Sequence, residues 1–209
     1  MKSRAPLYAG IAIVAIIAGF LSAQFSGSSK PAPHVELKNG TWLAEARPVP
    51  EFNLVNQHNE PFTTQQLQGH WSILFFGYTN CPDVCPTTLA TLAQVDKQLA
   101  GLPAAQHPQV VFVSVDPKRD TVAQLNNYVT FFNPAFIGVT GDQAQLDILT
   151  RGMGVPVAIH DDGQGSYTVD HAATIFLVNP SAQMAAVFSP PHEAGVLAGD
   201  IQTVIAAQS

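Results

Sequence analysis

The chain has 209 residues, nine basic and fifteen acidic, for a net charge of −6, and only 11% of it is charged. Such a length leaves room for one ordinary domain plus extensions, and 46% hydrophobic content can build a core. The acidic balance and the lack of any Lys/Arg cluster argue against a nucleic-acid partner, because phosphate binding needs grouped cations.

At the N-terminus, Lys2 and Arg4 precede an uncharged, almost wholly apolar run, Leu7 to Leu21, which Ala23 and Phe25 extend. A helix crosses a bilayer with about 20 apolar residues, and a signal peptide uses fewer. Residues 1–25 are therefore expected to be a transmembrane anchor, with a cleaved signal segment as the alternative. Leu21-Ser22-Ala23 is a mediocre cleavage site, and no cysteine follows that could carry a lipid. Under either reading the two cations stay cytoplasmic and the rest of the chain is exported. The expected location is the bacterial inner membrane, with the domain in the periplasm. Residues 26–50 shift to Ser, Gly, Pro and scattered charge, the composition of a flexible linker. The folded domain is expected over 51–209.

Within it, five short apolar runs read as strands: Trp71–Phe76, Val110–Val115, Ile137–Val139, Thr174–Val178 and Met184–Phe188. Three are continuous rather than alternating, as in strands buried on both faces. Helical patterns lie between and after them. One stripe runs Leu89, Leu92, Val95, Leu99, Leu102; a second, capped by Asp120 or Thr121, runs Val122, Leu125, Val129, Phe132. A third follows Asp142 with Leu146 and Leu149, and a fourth carries Leu197, Ile201, Val204 and Ile205. The order β-α-β-α-β-α-β-β-α predicts an α/β sheet with helices on both faces.

Cys81 and Cys85, the only cysteines, follow the first of these strands and open its helix. A disulfide between them would close too small a loop to staple much, so chemistry rather than stability is the reason for the pair. The residue before a proline avoids helical backbone, so Cys85 is expected as N-cap and Pro86 as the first helical residue. Both sulfurs would then face the positive end of the helix dipole, which favours thiolates. Asp116 ends the next strand, made parallel to the first by a helical crossover, and so shares the cysteines' edge of the sheet. His171 reaches that edge only if the strand after it runs antiparallel, which makes the sheet mixed.

Soft thiolates suit copper(I), zinc or iron–sulfur, and imidazole suits copper in both oxidation states. Two thiolates and one imidazole leave a position open, a poor structural zinc site but a reasonable one for copper that is received and handed on. Asp116 is either a turn and cap residue or a carboxylate behind the ligands, and Asp83 either a helix-start acid or an occasional oxygen ligand. His34 falls in the linker, while His58, His70, His107, His160 and His192 are expected at the surface.

Three blocks, Phe76-Gly-Tyr-Thr-Asn-Cys-Pro-Asp-Val-Cys-Pro86, Ser114-Val-Asp-Pro-Lys-Arg-Asp-Thr121 and Val169-Asp-His171, resemble the Sco/SenC family in content, order and spacing across the whole exported domain. The resemblance implies a thioredoxin-like mixed sheet and one copper ion per chain, held by Cys81, Cys85 and His171. It implies a metallochaperone for the dinuclear copper site of cytochrome c oxidase subunit II or another exported copper protein, loaded by a copper donor protein. Asn80 stands where a histidine is frequent in the family, and Ala172 where serine is common; neither change removes a ligand.

The alternative is an enzyme, a thiol–disulfide oxidoreductase in which Cys81 and Cys85 form a redox disulfide and reduce the oxidase subunit or other exported proteins. Against it stand the three-residue spacing, His171, and the absence of proline between Gly163 and Val178, where thioredoxins place a cis-proline. A thiol peroxidase would need a basic partner for one cysteine, and no arginine lies between Arg47 and Arg119.

Overall fold

The structure, a computed structural model, describes residues 35–161 and 167–208; the side chain of His171 lies outside the described residues, as do the expected anchor, His34 and the first part of the expected linker. Among the described residues no helix is long and apolar enough to cross a membrane.

Ten strands and four α-helices are described. β1 spans Gly40–Pro48, β2 Asn53–Asn56, β3 Pro61–Thr63, β4 Ser72–Gly77, β5 Gln109–Ser114 and β6 Ile137–Thr140. β7 spans Val157–Asp161, β8 Tyr167–His171, β9 Ile175–Asn179 and β10 Gln183–Phe188. The helices are α1 Val84–Leu99, α2 Val122–Phe132, α3 Gln143–Met153 and α4 Ala194–Ala207. Eight strands form one sheet in the order β1-β10-β9-β4-β5-β6-β2-β3. β4 pairs parallel with β5 and antiparallel with β9, so the expected mixed sheet is present.

Every residue of β4 is buried, because the strand has a core on each side. Ile73, Phe75, Val110 and Phe112 meet α1, α2 and α4 on one face, while Leu74, Phe76, Val111 and Val113 meet α3 on the other. Alternation along a strand sends successive side chains to opposite faces, so one continuous apolar run serves both cores. Thr121, not Asp120, caps α2 through a capping box with Gln124. Asp142 occupies the N-cap of α3, but its side chain makes no capping bond.

The linker needs correction. Gly40–Pro48, within the stretch read as flexible, is an edge strand antiparallel to β10, with Gly40 opposite Phe188 and Pro48 opposite Gln183. A register shift between Trp42 and Arg47 breaks the alternation that marks a strand in sequence, and Pro48 sits at a strand end, where proline is tolerated. Just before it, the backbone N–H groups of Lys38 and Asn39 donate to the buried Asp200 carboxylate on α4, each at 2.9 Å.

Candidate metal centre

Tyr78 to Asp83 form the loop between β4 and α1. Thr79 anchors it: its N–H and hydroxyl donate to the Asp120 carboxylate at 2.9 and 2.6 Å, and Ser114 Oγ donates to the same group at 2.6 Å. Asp120 is 1% exposed. The two bonds from Thr79 tie the loop that delivers Cys81 to Asp120, and the third ties Asp120 to the end of β5.

The helix starts two residues earlier than expected. Asp83 is the N-cap and Val84 the first helical residue, so Cys85 and Pro86 both lie in the first turn. Proline is accepted there because the first N–H groups of a helix have no intrahelical acceptor. Cys81 is in the loop, half-buried, and the Cys85 N–H donates to its Sγ at 3.4 Å. Both residues are thiols that share a side-chain hydrogen bond.

Cys85 differs from expectation. Its side chain is fully buried in the core beneath β4, and burial pushes its thiol pKa well above the ordinary 9.0. Loss of water outweighs the helix terminus here, because an uncompensated thiolate in apolar surroundings is costly. Space for the sulfur comes from Gly77: a Cβ there would stand 2.8 Å from Cys85 Sγ and 2.6 Å from the Phe112 ring. Gly77→Ala is expected to lower stability by about 1–3 kcal/mol, the usual cost of overpacking. A denaturant titration checks this, and an unchanged midpoint would mean that the sulfur is not confined as described.

Cys81 lines an open cleft of about 240 Å³ with Tyr78, Pro82, Asp83, Val84, Val169 and Asp170. Val169 and Asp170 belong to β8, whose last residue, His171, pairs with Val157 of β7. β9 then begins with Ile175 opposite Phe75 near the end of β4, so the antiparallel return that brings His171 to the cysteines' edge is present. Among the described residues no three His, Cys, Asp or Glu side chains gather as metal ligands.

Asp83 and Asp170 put two acidic groups on the rim of the cleft. Asp83 accepts a long 3.5 Å bond from Thr87 Oγ1, and Asp170 meets His160 Nε2 at 2.8 Å across the β7–β8 hairpin. Asp116, 3% exposed, serves neither cysteine: it binds the Arg119 guanidinium and accepts a 2.6 Å bond from the Tyr167 hydroxyl. Two histidines expected at the surface are half-buried. His107 faces Asp96 at 3.5 Å, and His192 Nε2 lies 2.6 Å from the Ala173 carbonyl.

Arg119, Tyr78 and Tyr167 gave no signal as site residues. The guanidinium lies 3.7 Å from the Tyr167 ring centroid and 5.5 Å from that of Tyr78, so an arginine 38 positions beyond Cys81 lies over a residue that lines the cleft. The DPxRD spacing around it was visible, but not that a distant hairpin folds onto it.

Chemically, the pair offers two soft sulfurs at a helix start, one of them open to a cleft with an acidic rim. That donor set fits a thiophilic cation and equally permits disulfide formation.

Comparison with known proteins agrees. The SCO1/SenC family profile matches residues 43–206. A Stutzerimonas stutzeri protein named as a candidate copper-binding protein is 39% identical over 142 residues, 68% of this chain and 69% of its own length. Protein SCO1 homolog 1, mitochondrial, of Arabidopsis thaliana is 33% identical over 160 residues, 76% of this chain but only 47% of the relative. The copper-bound crystal structure of Arabidopsis thaliana ScoI superposes with a TM-score of 0.68 at 32% identity, over 75% of this chain and 98% of that one. With the two cysteines at the head of α1 and the profile spanning nearly the whole described domain, the chain belongs to the SCO1/SenC family.

Proposed function

We propose that this protein binds one copper ion through Cys81, Cys85 and His171 and delivers copper during assembly of cytochrome c oxidase, to the dinuclear site of subunit II. The cofactor is copper, as for the family members described above. The observation that carries the reading is the cleft itself: Cys81 forms one wall, and the strand ending in His171 forms the other. Asp83 and Asp170 on its rim make a cation-attracting mouth, which favours capture of a charged metal. Residues 1–25 are proposed to hold the domain at the membrane surface, facing the periplasm, on the strength of the apolar run from Leu7 to Leu21 behind Lys2 and Arg4.

One observation favours the second reading. The two thiols already share a hydrogen bond, so little motion separates them from a disulfide, and thiol–disulfide exchange with an oxidase subunit is open to the same pair. Anaerobic copper titration of the full chain tests the first reading. The reduced protein is expected to take up one equivalent with a thiolate-to-copper charge-transfer band. The disulfide form is expected to take up none, since disulfide sulfurs are feeble donors. Equal uptake by both forms would remove the thiols from the site.

A further inference from the structure

The hairpin that carries His171 is not part of the main sheet. β7 and β8 pair only with each other, as a separate two-stranded sheet. Side chains do what a ladder does elsewhere. We propose that Arg119 is the positioning residue of the metal site, clamping β8, and with it His171, against the cysteine loop. This rests on the reading of His171 as a copper ligand.

Arg119 sits in the turn after β5, where its own N–H and that of Asp120 close onto the Asp116 carbonyl at 3.2 and 3.0 Å. From this fixed turn, Tyr167 at the head of β8 is held in three ways. Arg119 Nη1 donates to the Tyr167 carbonyl at 2.9 Å, the guanidinium covers the Tyr167 ring at 3.7 Å, and the Tyr167 hydroxyl donates to Asp116. Arg119 Nε completes the arrangement by binding Asp116. The same cation lies over Tyr78, three residues before Cys81, whose hydroxyl is hydrogen-bonded by the Val169 backbone. One guanidinium thus joins Tyr78, which lines the cleft, to Tyr167, at the head of the strand whose Val169 and Asp170 line it. Beyond His171, the 2.6 Å contact from His192 fixes Ala173.

Arginine suits the task because its flat fork stacks on a ring while donating in its own plane; lysine is a point charge on a flexible stem.

The test compares the full chain with Arg119→Lys, Tyr167→Phe and His171→Ala. Amide hydrogen exchange is read on the metal-free proteins, and copper(II) paramagnetic resonance on the loaded ones. In Arg119→Lys, the amides of β8 are expected to exchange on the order of tenfold faster or more, with α1 and β9 unchanged. The nitrogen coupling to copper(II) should weaken or split into several species. Tyr167→Phe keeps the ring and the carbonyl and should fall between Arg119→Lys and the unchanged protein. Unchanged β8 exchange in Arg119→Lys overturns the proposal, and so does equal acceleration in α1 and β9, which marks a merely stabilising residue. Nitrogen coupling that persists in His171→Ala overturns the ligand reading instead, and the role given to Arg119 falls with it even where β8 has loosened.

Discussion

Cys85→Ser is expected to lower copper affinity by well over about 100-fold, more than the loss of an outer partner of a metal ligand costs. On the proposed ligand set, the serine variant keeps one thiolate and one imidazole, too few strong donors to hold copper(II) tightly. Burial adds a pH signature. The Cys85 thiol, held above its ordinary value by desolvation, keeps its proton through neutral pH, so copper must displace that proton to bind. Apparent affinity should therefore rise with pH, by up to about tenfold per unit for each proton released, and the serine variant should lose that component of the slope.

The metal-free protein gives an independent check. A thiol whose folded pKa lies above its unfolded value contributes stability that is fully present below the unfolded value. That contribution is lost as pH climbs from about the ordinary 9.0 through the folded value. Thermal melts of the unchanged chain should fall on this alkaline limb, and those of Cys85→Ser should fall less steeply. The serine places a hydroxyl where the buried sulfur stood, at a cost of about 1–3 kcal/mol, so the two proteins are compared by slope rather than by midpoint. Parallel slopes would show that Cys85 does not contribute to this limb, which Tyr128, also raised by burial, would then carry.

The two-sided core was legible because β4 and β5 read as unbroken apolar runs, and helix stripes on both sides supplied what covers them. Cys81, Cys85 and Asp116 fall at one sheet edge because β4 and β5 run parallel, so the segments that follow them leave the sheet at the same end. What local pattern could not carry is what depends on distant partners. β1 is broken in register and ends in proline, so only its pairing with β10 makes it a strand. The helix start at Asp83 ran against the usual effect of a following proline, because tertiary packing of Cys85 beneath Gly77 draws it into the first turn. Likewise the Cys85 thiol responds to a buried environment built by Gly77 and Phe112, while the motif showed only the helix terminus. Arg119 and Tyr167 lie 48 positions apart, and no periodicity links them.

His171→Ala is expected to separate the two functional readings. Copper(I) is content with two thiolates, so its binding should weaken only modestly. Copper(II) prefers a set that includes nitrogen, so its affinity and charge-transfer band should suffer severely, again by about 100-fold or more. Thiol–disulfide exchange with a small model substrate depends on thiolate fraction, leaving group and access, none of which runs through an imidazole on β8, and should change little. Both cysteines remain in this variant, the Cys85 N–H still faces the Cys81 sulfur, and the buried core below them is untouched. Maturation of the oxidase copper site in cells carrying the variant then decides between them. Failed assembly alongside intact exchange activity means that copper coordination is the working chemistry. Normal assembly without His171 means that copper(II) coordination through the imidazole is not the working chemistry, which turns the reading toward the cysteine pair as a reductant of the oxidase subunit.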